Sequence, residues 1–408
     1  MSTTTSHSAL LSPLTIGPLT LRNRVIMAAL TRSRSAPTNV PNEVNVEYYA
    51  QRAHGGTGLI VTEGVLIEQQ GTEWRNVPGI WSQEQVAAWK KITSAVHDEG
   101  GLIFAQLWHL GRLSHPDAPE QKAAGKPVYA PSAIAARGGK FRFIPGEPGN
   151  VTPTAIDDPR VVIEQYKKAA INAKEAGFDG VELHGANGYL VHQFLDSTSN
   201  LRTDSWGGSV ENRSRFGLEI LKELVSVFGN KRVGIKLSPV GGPNDVGMPL
   251  QDTLDTFNYF ISEADKLDLA YICLMRYLAT MDPKFDGKSH TWFYFRTNSF
   301  TFTPSGKNRA TQHDVLASYR QAIKKSPLIL NAGLTPDEAE ALISSKQIDA
   351  AVFGMLFISH PDVPKRIAHG IPLDTQVNFT TLYSAGPQAT LEELRKGYTD
   401  YPAVTYNN

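Results

Sequence analysis

Gly180-Val181-Glu182-Leu183-His184-Gly185-Ala186-Asn187-Gly188-Tyr189-Leu190 changes character halfway along its length. The first five residues alternate, sending Val181 and Leu183 to one face and Glu182 and His184 to the other, which is the period of a β-strand. The second half reads as a loop. A histidine at a strand end, with an asparagine and a tyrosine in the next five residues, gathers two hydrogen-bond donors and one weak acid in a small volume. Such a group can stabilise an oxyanion and deliver a proton. A packing reading stands beside it, with His184 a satisfied core histidine, Asn187-Gly188 a turn and Tyr189 a buried aromatic. The rest of the chain decides between the two.

On either side of this stretch, short apolar segments recur, each followed by a loop and a helical pattern. They are Val25 to Leu30, Gly58 to Glu63, Leu102 to Trp108, Gly180 to His184, Val233 to Ser238, Ala270 to Met275, Leu328 to Asn331 and Ala350 to Phe353. The helical patterns are Glu43 to Ala53, Gln83 to Asp98, Pro159 to Ala176, Val210 to Phe228, Leu250 to Lys266, Gln312 to Lys324 and Pro336 to Ser345. Asp158-Pro159 and Thr335-Pro336 mark helix starts, and Gly177 follows a helix end. Eight strands alternating with helices predict a parallel sheet closed into a single (β/α)8 TIM barrel. An open doubly wound sheet is the weaker reading, because no G-x-G-x-x-G follows the first strand.

A barrel makes its polar strand residues informative. A strand buried on both faces should be apolar, yet Glu63, Gln106, His184, Lys236 and Asn331 each stand near the carboxyl end of a different strand. That end is where barrel enzymes place their chemistry. Two further segments stand apart. Leu14 to Leu21, turning at Gly17-Pro18, reads as an N-terminal β-hairpin lid on one end of the barrel. Residues 289–308, rich in aromatics, read as an extended loop inserted after strand 6, either a substrate-facing lid or a surface excursion.

Composition narrows the function classes. Lys plus Arg and Asp plus Glu number 40 each, so no basic stripe suggests nucleic acid or an anionic membrane. Cys273 is the only cysteine, which excludes an internal disulfide and a multi-cysteine metal site and suits a reducing, cytoplasmic setting. No metal site is expected. No uncharged apolar run of about eighteen residues suggests a membrane span. Residues 1–10 are expected to be a disordered start and 11–408 a single domain.

In this order and at this spacing, several motifs resemble those of the old yellow enzyme family of flavin-dependent ene-reductases. They include Leu21-Arg22-Asn23-Arg24-Val25, Leu30-Thr31-Arg32, Thr62-Glu63-Gly64, Gln106-Leu107-Trp108, His184 through Leu190, Gly207 through Arg213 and Gly397 through Pro402. The resemblance implies a barrel holding FMN non-covalently, reduced by NADPH or NADH, that passes hydride from flavin N5 to activated alkenes, as a monomer or homodimer. It implies that His184 and Asn187 bind the substrate oxygen and that Tyr189 protonates the α-carbon. An unperturbed phenol, with a pKa of about 10, still carries its proton at neutral pH. The resemblance further implies flavin contacts from Thr31, Gln106 and Lys236, backbone contacts from Ala29 and Gly64, and pocket walls from Trp74 and Tyr383.

Three positions depart from the family pattern. Lys236 stands where arginine is usual, keeping the charge without the planar fork. Met355 stands where many members place an arginine on the FMN phosphate, which leaves backbone N–H groups near Gly333, Gly354 and Met355 to hold it. Ala29 replaces a common proline. Two alternatives remain open from sequence: a non-flavin barrel lyase using Lys236 as a Schiff base, and a binding protein that no longer holds FMN tightly.

Overall fold

Parallel strands closing on themselves make up the centre of this protein, in a computed structural model that describes residues 7–406 except 73, 140, 142–143, 145, 147–148, 283, 286–306, 375–376, 384–385 and 387. The eight barrel strands are β1 (Val25–Met27), β2 (Leu59–Leu66), β3 (Ile103–Trp108), β4 (Gly180–Gly185), β5 (Val233–Leu237), β6 (Tyr271–Met275), β7 (Leu328–Asn331) and β8 (Ala350–Phe353). They pair in chain order, and β8 closes on β1. All eight expected strands are present, so the closed barrel displaces the open sheet.

Side-chain alternation divides the core into two. Ile26, Val61, Phe104, Tyr271, Cys273, Ile329 and Val352 form the inner cluster, while their neighbours Val25, Ile60, Ile103, Ile272 and Leu330 pack outward under the helices. The lid hairpin, Leu14–Ile16 antiparallel to Leu19–Leu21, puts Ile16, Leu19 and Leu21 into that inner cluster. It therefore plugs the amino-terminal end of the barrel and leaves the carboxyl end open for the site.

The barrel helices are α1 (Glu43–His54), α2 (Gln83–Asp98), α3 (Arg160–Glu175), α4 (Val210–Phe228), α5 (Leu250–Lys266), α6 (Val315–Tyr319), α7 (Pro336–Ser344) and α8 (Val363–Ala368). Local sequence sets their starts. Asn42 caps α1 and Ser82 caps α2, each in a reciprocal capping box. The largest departure from expectation among these helices is α6, predicted from Gln312 to Lys324. Asp314 accepts hydrogen bonds from Leu316 and Ala317 N–H and fixes the start there. Its other end tightens into a 3₁₀ turn at Arg320–Ala322.

The expected disordered start at 1–10 needs correction at residues 7–10. Leu10 is fully buried, and the N–H groups of Ala9 and Leu10 both donate to the Glu340 carboxylate. The inserted segment 289–308 lies outside the described residues except for its end, where Lys307–Asn308 pairs antiparallel with Lys284–Phe285. No described helix is long and apolar enough to cross a membrane.

Candidate active site

Alternation in β4 puts Glu182 and His184 on the inner face, and the same rule turns Gln106 of β3 and Lys236 of β5 inward. His184 lies opposite Lys236 in the strand register, one layer above Glu182. One cavity at the carboxyl mouth is lined by Ala29, Thr31, Gly64, Gln106, Trp108, His184, Asn187, Tyr189 and Lys236. The structure thus brings together eight of the residues singled out from sequence. A larger hollow of about 780 Å³ opens beside the turns after β6 and β7, but of its two arginines Arg276 is engaged by Glu338 and Arg320 by the Ile323 carbonyl.

His184 is buried, and its Nδ1 accepts the Ala186 N–H at 3.3 Å. With Nδ1 acting as acceptor, the neutral ring carries its proton on Nε2, ready to donate into the cavity. Burial holds the imidazole pKa well below the usual histidine range, and the charges of Lys236 and His192 press it further down. The donor count therefore stays constant on the acid side of neutrality. Substrate capture is expected to show no histidine limb near pH 6.5, the ordinary value, when kcat/KM is followed from about pH 8 to about pH 6. A limb at that pH, abolished in His184→Gln, would contradict the neutral assignment.

Asn187 takes a left-handed backbone, φ +57°, which asparagine tolerates better than most residues. Its N–H donates to Ser238 Oγ at 2.8 Å, and its carbonyl accepts from Asn244 Nδ2 at 2.7 Å. Gly188 follows at φ +74°, and a Cβ there would lie 2.9 Å from both Asn244 Cβ and the Pro243 carbonyl oxygen. The loop is thus clamped against the one after β5. Asn187 lines the cavity, and its buried Oδ1 meets no donor among the described residues. Tyr189 then opens the short helix Leu190–Leu195, its carbonyl accepting from Gln193 N–H. Its ring meets Trp108 at 5.0 Å and His184 at 4.9 Å, both edge to face.

A second polar set lines the same cavity. Gln106 Nε2 donates to Glu182 at 2.7 Å, which turns Gln106 Oε1 toward the cavity as an acceptor. The Lys236 ammonium and the Thr31 hydroxyl line the same cavity with no hydrogen-bond partner among the described residues. An acceptor, a hydroxyl and a cation in one cavity suit the pyrimidine side of an isoalloxazine, so the residues present fit FMN. Gly64 has a packing reason as well, since a Cβ would lie 2.4 Å from the Trp108 ring.

Gly333, Gly354 and Met355 sit apart from that lining, on the turns after β7 and β8. Gly333 has φ +72°, and Ala332 before it takes φ +84° although it carries a side chain. The N–H groups of Gly333, Gly354 and Met355 meet no acceptor among the described residues. Trp74 and Tyr383 also lie off the lining. Their rings are 5.0 Å apart, Trp74 on the Trp108 cluster and Tyr383 on the cluster beside Leu30.

Glu63, one of the five polar strand residues, does not enter the cavity. Its Oε2 accepts from Arg32 N–H at 3.0 Å and Ser33 N–H at 3.1 Å, so it anchors the turn that carries Thr31. Arg32 and Arg34, both buried, clamp this turn to carbonyls of the C-terminal segment, Leu382 and Leu394 among them. Glu63→Ala leaves two buried N–H donors unmet and is expected to cost about 2–5 kcal/mol. Thermal melting checks this, and an unchanged midpoint would count against the anchor. Sequence reading also passed over Trp108 and Ser238. Trp108 stood in a quoted motif without a role, and Ser238 acts only through a contact that the fold creates.

The family model for NADH:flavin oxidoreductase / NADH oxidase matches residues 9–374. The NADP-dependent oxidoreductase lnbE of Aspergillus flavus is 38% identical over 403 residues, covering 97% of this chain and 96% of that protein. The "probable inactive dehydrogenase easA" of Claviceps fusiformis is 37% identical over 404 residues, covering 97% and 95%. Among solved structures, the old yellow enzyme homologue from Zymomonas mobilis matches with a TM-score of 0.82 at 35% identity, covering 97% of this chain and 100% of that one.

Proposed function

Because the chain belongs to the NADH:flavin oxidoreductase / NADH oxidase family and is of old yellow enzyme type, we propose that it reduces the C=C bond of α,β-unsaturated carbonyl or nitro compounds, using FMN and NADPH or NADH. The observation that supports this most is the convergence of His184, Asn187 and Tyr189 on the cavity that Gln106, Thr31 and Lys236 also line. A scaffold has no need of an acid beside two donors.

Gln106, Thr31, Lys236 and the backbone of Ala29 and Gly64 would hold the flavin ring, and the amides of Gly333, Gly354 and Met355 its phosphate. When bound, FMN supplies the hydride, taken from the nicotinamide and passed on from N5. His184 and Asn187 hold the substrate's oxygen and stabilise the negative charge it gains as the β-carbon becomes saturated. Tyr189 gives its phenolic proton to the α-carbon and is reprotonated from water. Trp74 and Tyr383 wall the approach, and the nicotinamide shares this pocket.

The visible spectrum tests the reading. The purified protein with FMN should show flavin bands that bleach with NADPH without oxygen and return with 2-cyclohexenone. A colourless protein that takes up no FMN would favour a barrel without flavin. Met355 and the inactive designation of four relatives are what keep that second reading in view.

A further inference from the structure

Beneath the proposed flavin edge lies a carboxylate with no assigned part. Glu182 is 2% exposed, and each of its oxygens is engaged by a neutral donor, Gln106 Nε2 at 2.7 Å and the Tyr271 hydroxyl at 2.9 Å. Tyr271 cannot drift. Its ring lies where a Cβ on Gly234 would be, 2.4 Å away, and stacks on Phe104 at 5.9 Å. Among the described residues the cation acting on Glu182 is Lys236, which shares the inner face one layer up and hydrogen-bonds to none of them.

Resting on the flavin reading, we infer that Glu182 is a positioning residue that sets which end of the Gln106 amide meets the cofactor. A primary amide has a donor end and an acceptor end of nearly equal size, so packing alone chooses poorly between them. An ionised carboxylate only accepts. It therefore binds the Nε2 end and turns Oε1 to the cavity, where a ring N–H such as flavin N3–H finds an acceptor. Glu182 also places a negative charge behind Lys236, moderating the cation that faces the flavin. Burial raises the carboxyl pKa, while Lys236 and the two donors oppose that rise.

The test compares FMN with 3-methyl-FMN, which cannot donate from N3, in the full-length protein. Dissociation constants come from quenching of flavin fluorescence, and midpoint potentials from dye-coupled titration. Wild type should prefer FMN by about tenfold or more, the worth of one hydrogen bond of about 1.4 kcal/mol. In Glu182→Gln the facing group offers both a donor and an acceptor, so Gln106 is no longer forced one way. The preference should fall several-fold, and the potential should rise as Lys236 loses its counter-charge. Tyr271→Phe keeps the Glu182–Gln106 bond but loosens the carboxylate, and should shift the preference in the same direction by less.

A preference unchanged in both variants overturns the inference. So does a loss of affinity that is equal for the two flavins, since a merely structural carboxylate would weaken both alike. If Glu182→Gln does not fold, the Tyr271→Phe ratio decides alone. Wild type that binds neither flavin would overturn the family-based function itself, an outcome distinct from a flavoprotein whose Glu182 variants behave like wild type.

Discussion

Tyr189→Phe should slow alkene reduction by about 10²–10⁴-fold, the range of a positioned general acid, while leaving reduction of the flavin by NADPH nearly unchanged. The asymmetry follows from what the substitution removes. The ring remains, held edge to face against Trp108 and His184, so neither the walls of the cavity nor the donors for the substrate oxygen move. What is lost is the phenolic hydroxyl with the proton it carries. Nicotinamide oxidation needs no proton at a substrate carbon, whereas saturation of a conjugated C=C leaves a carbanion-like α-carbon that must be protonated. Anaerobic stopped-flow separates the two steps, bleaching with NADPH and return of colour with 2-cyclohexenone. An equal loss in both would take Tyr189 out of the acid role and return it to packing.

The barrel was legible because its signal is redundant. Eight apolar segments, each with its own loop and helix, cannot all be misread by a residue or two, and the boundaries of α2, α4 and α5 came out as read. The site was legible where alternation governs. Gln106, His184 and Lys236 face inward because their strand neighbours Leu107, Leu183 and Ile235 face outward.

Glu63 shows where that reasoning stops. The β2–β3 register shifts between Val61 and Gly64, so inward and outward no longer follow from counting, and the carboxylate turns to the backbone of the Thr31 turn instead of the cavity. Helix α6 is a second such place. Its apolar pattern runs on past both ends, but Asp314 captures the first amides and fixes the start. Contacts between distant loops were invisible for a different reason. Ser238 supports Asn187 across 51 residues of chain, a pairing that no local pattern encodes.

His184→Ala is expected to lower kcat/KM for an enone by about 10²–10³-fold, the cost of removing one donor from an oxyanion site. The same should hold for Asn187→Ala, and the double variant should lose less than the product of the two, because the donors share one oxygen. Both donors are held in place before substrate arrives. The Ala186 N–H commits His184 Nδ1, and the Ser238 hydroxyl and Asn244 amide commit the Asn187 backbone, so Nε2 and Nδ2 meet the developing charge without reorganising. His184 must also be neutral to tolerate Lys236 across the strand pair, and its burial keeps it so. A charged imidazole would be the stronger donor, but a second buried cation beside Lys236 would be far more costly than that gain. Stopped-flow rates of flavin reoxidation by 2-cyclohexenone provide the measurement. Loss of flavin affinity with unchanged reoxidation would place His184 with the cofactor instead of the substrate.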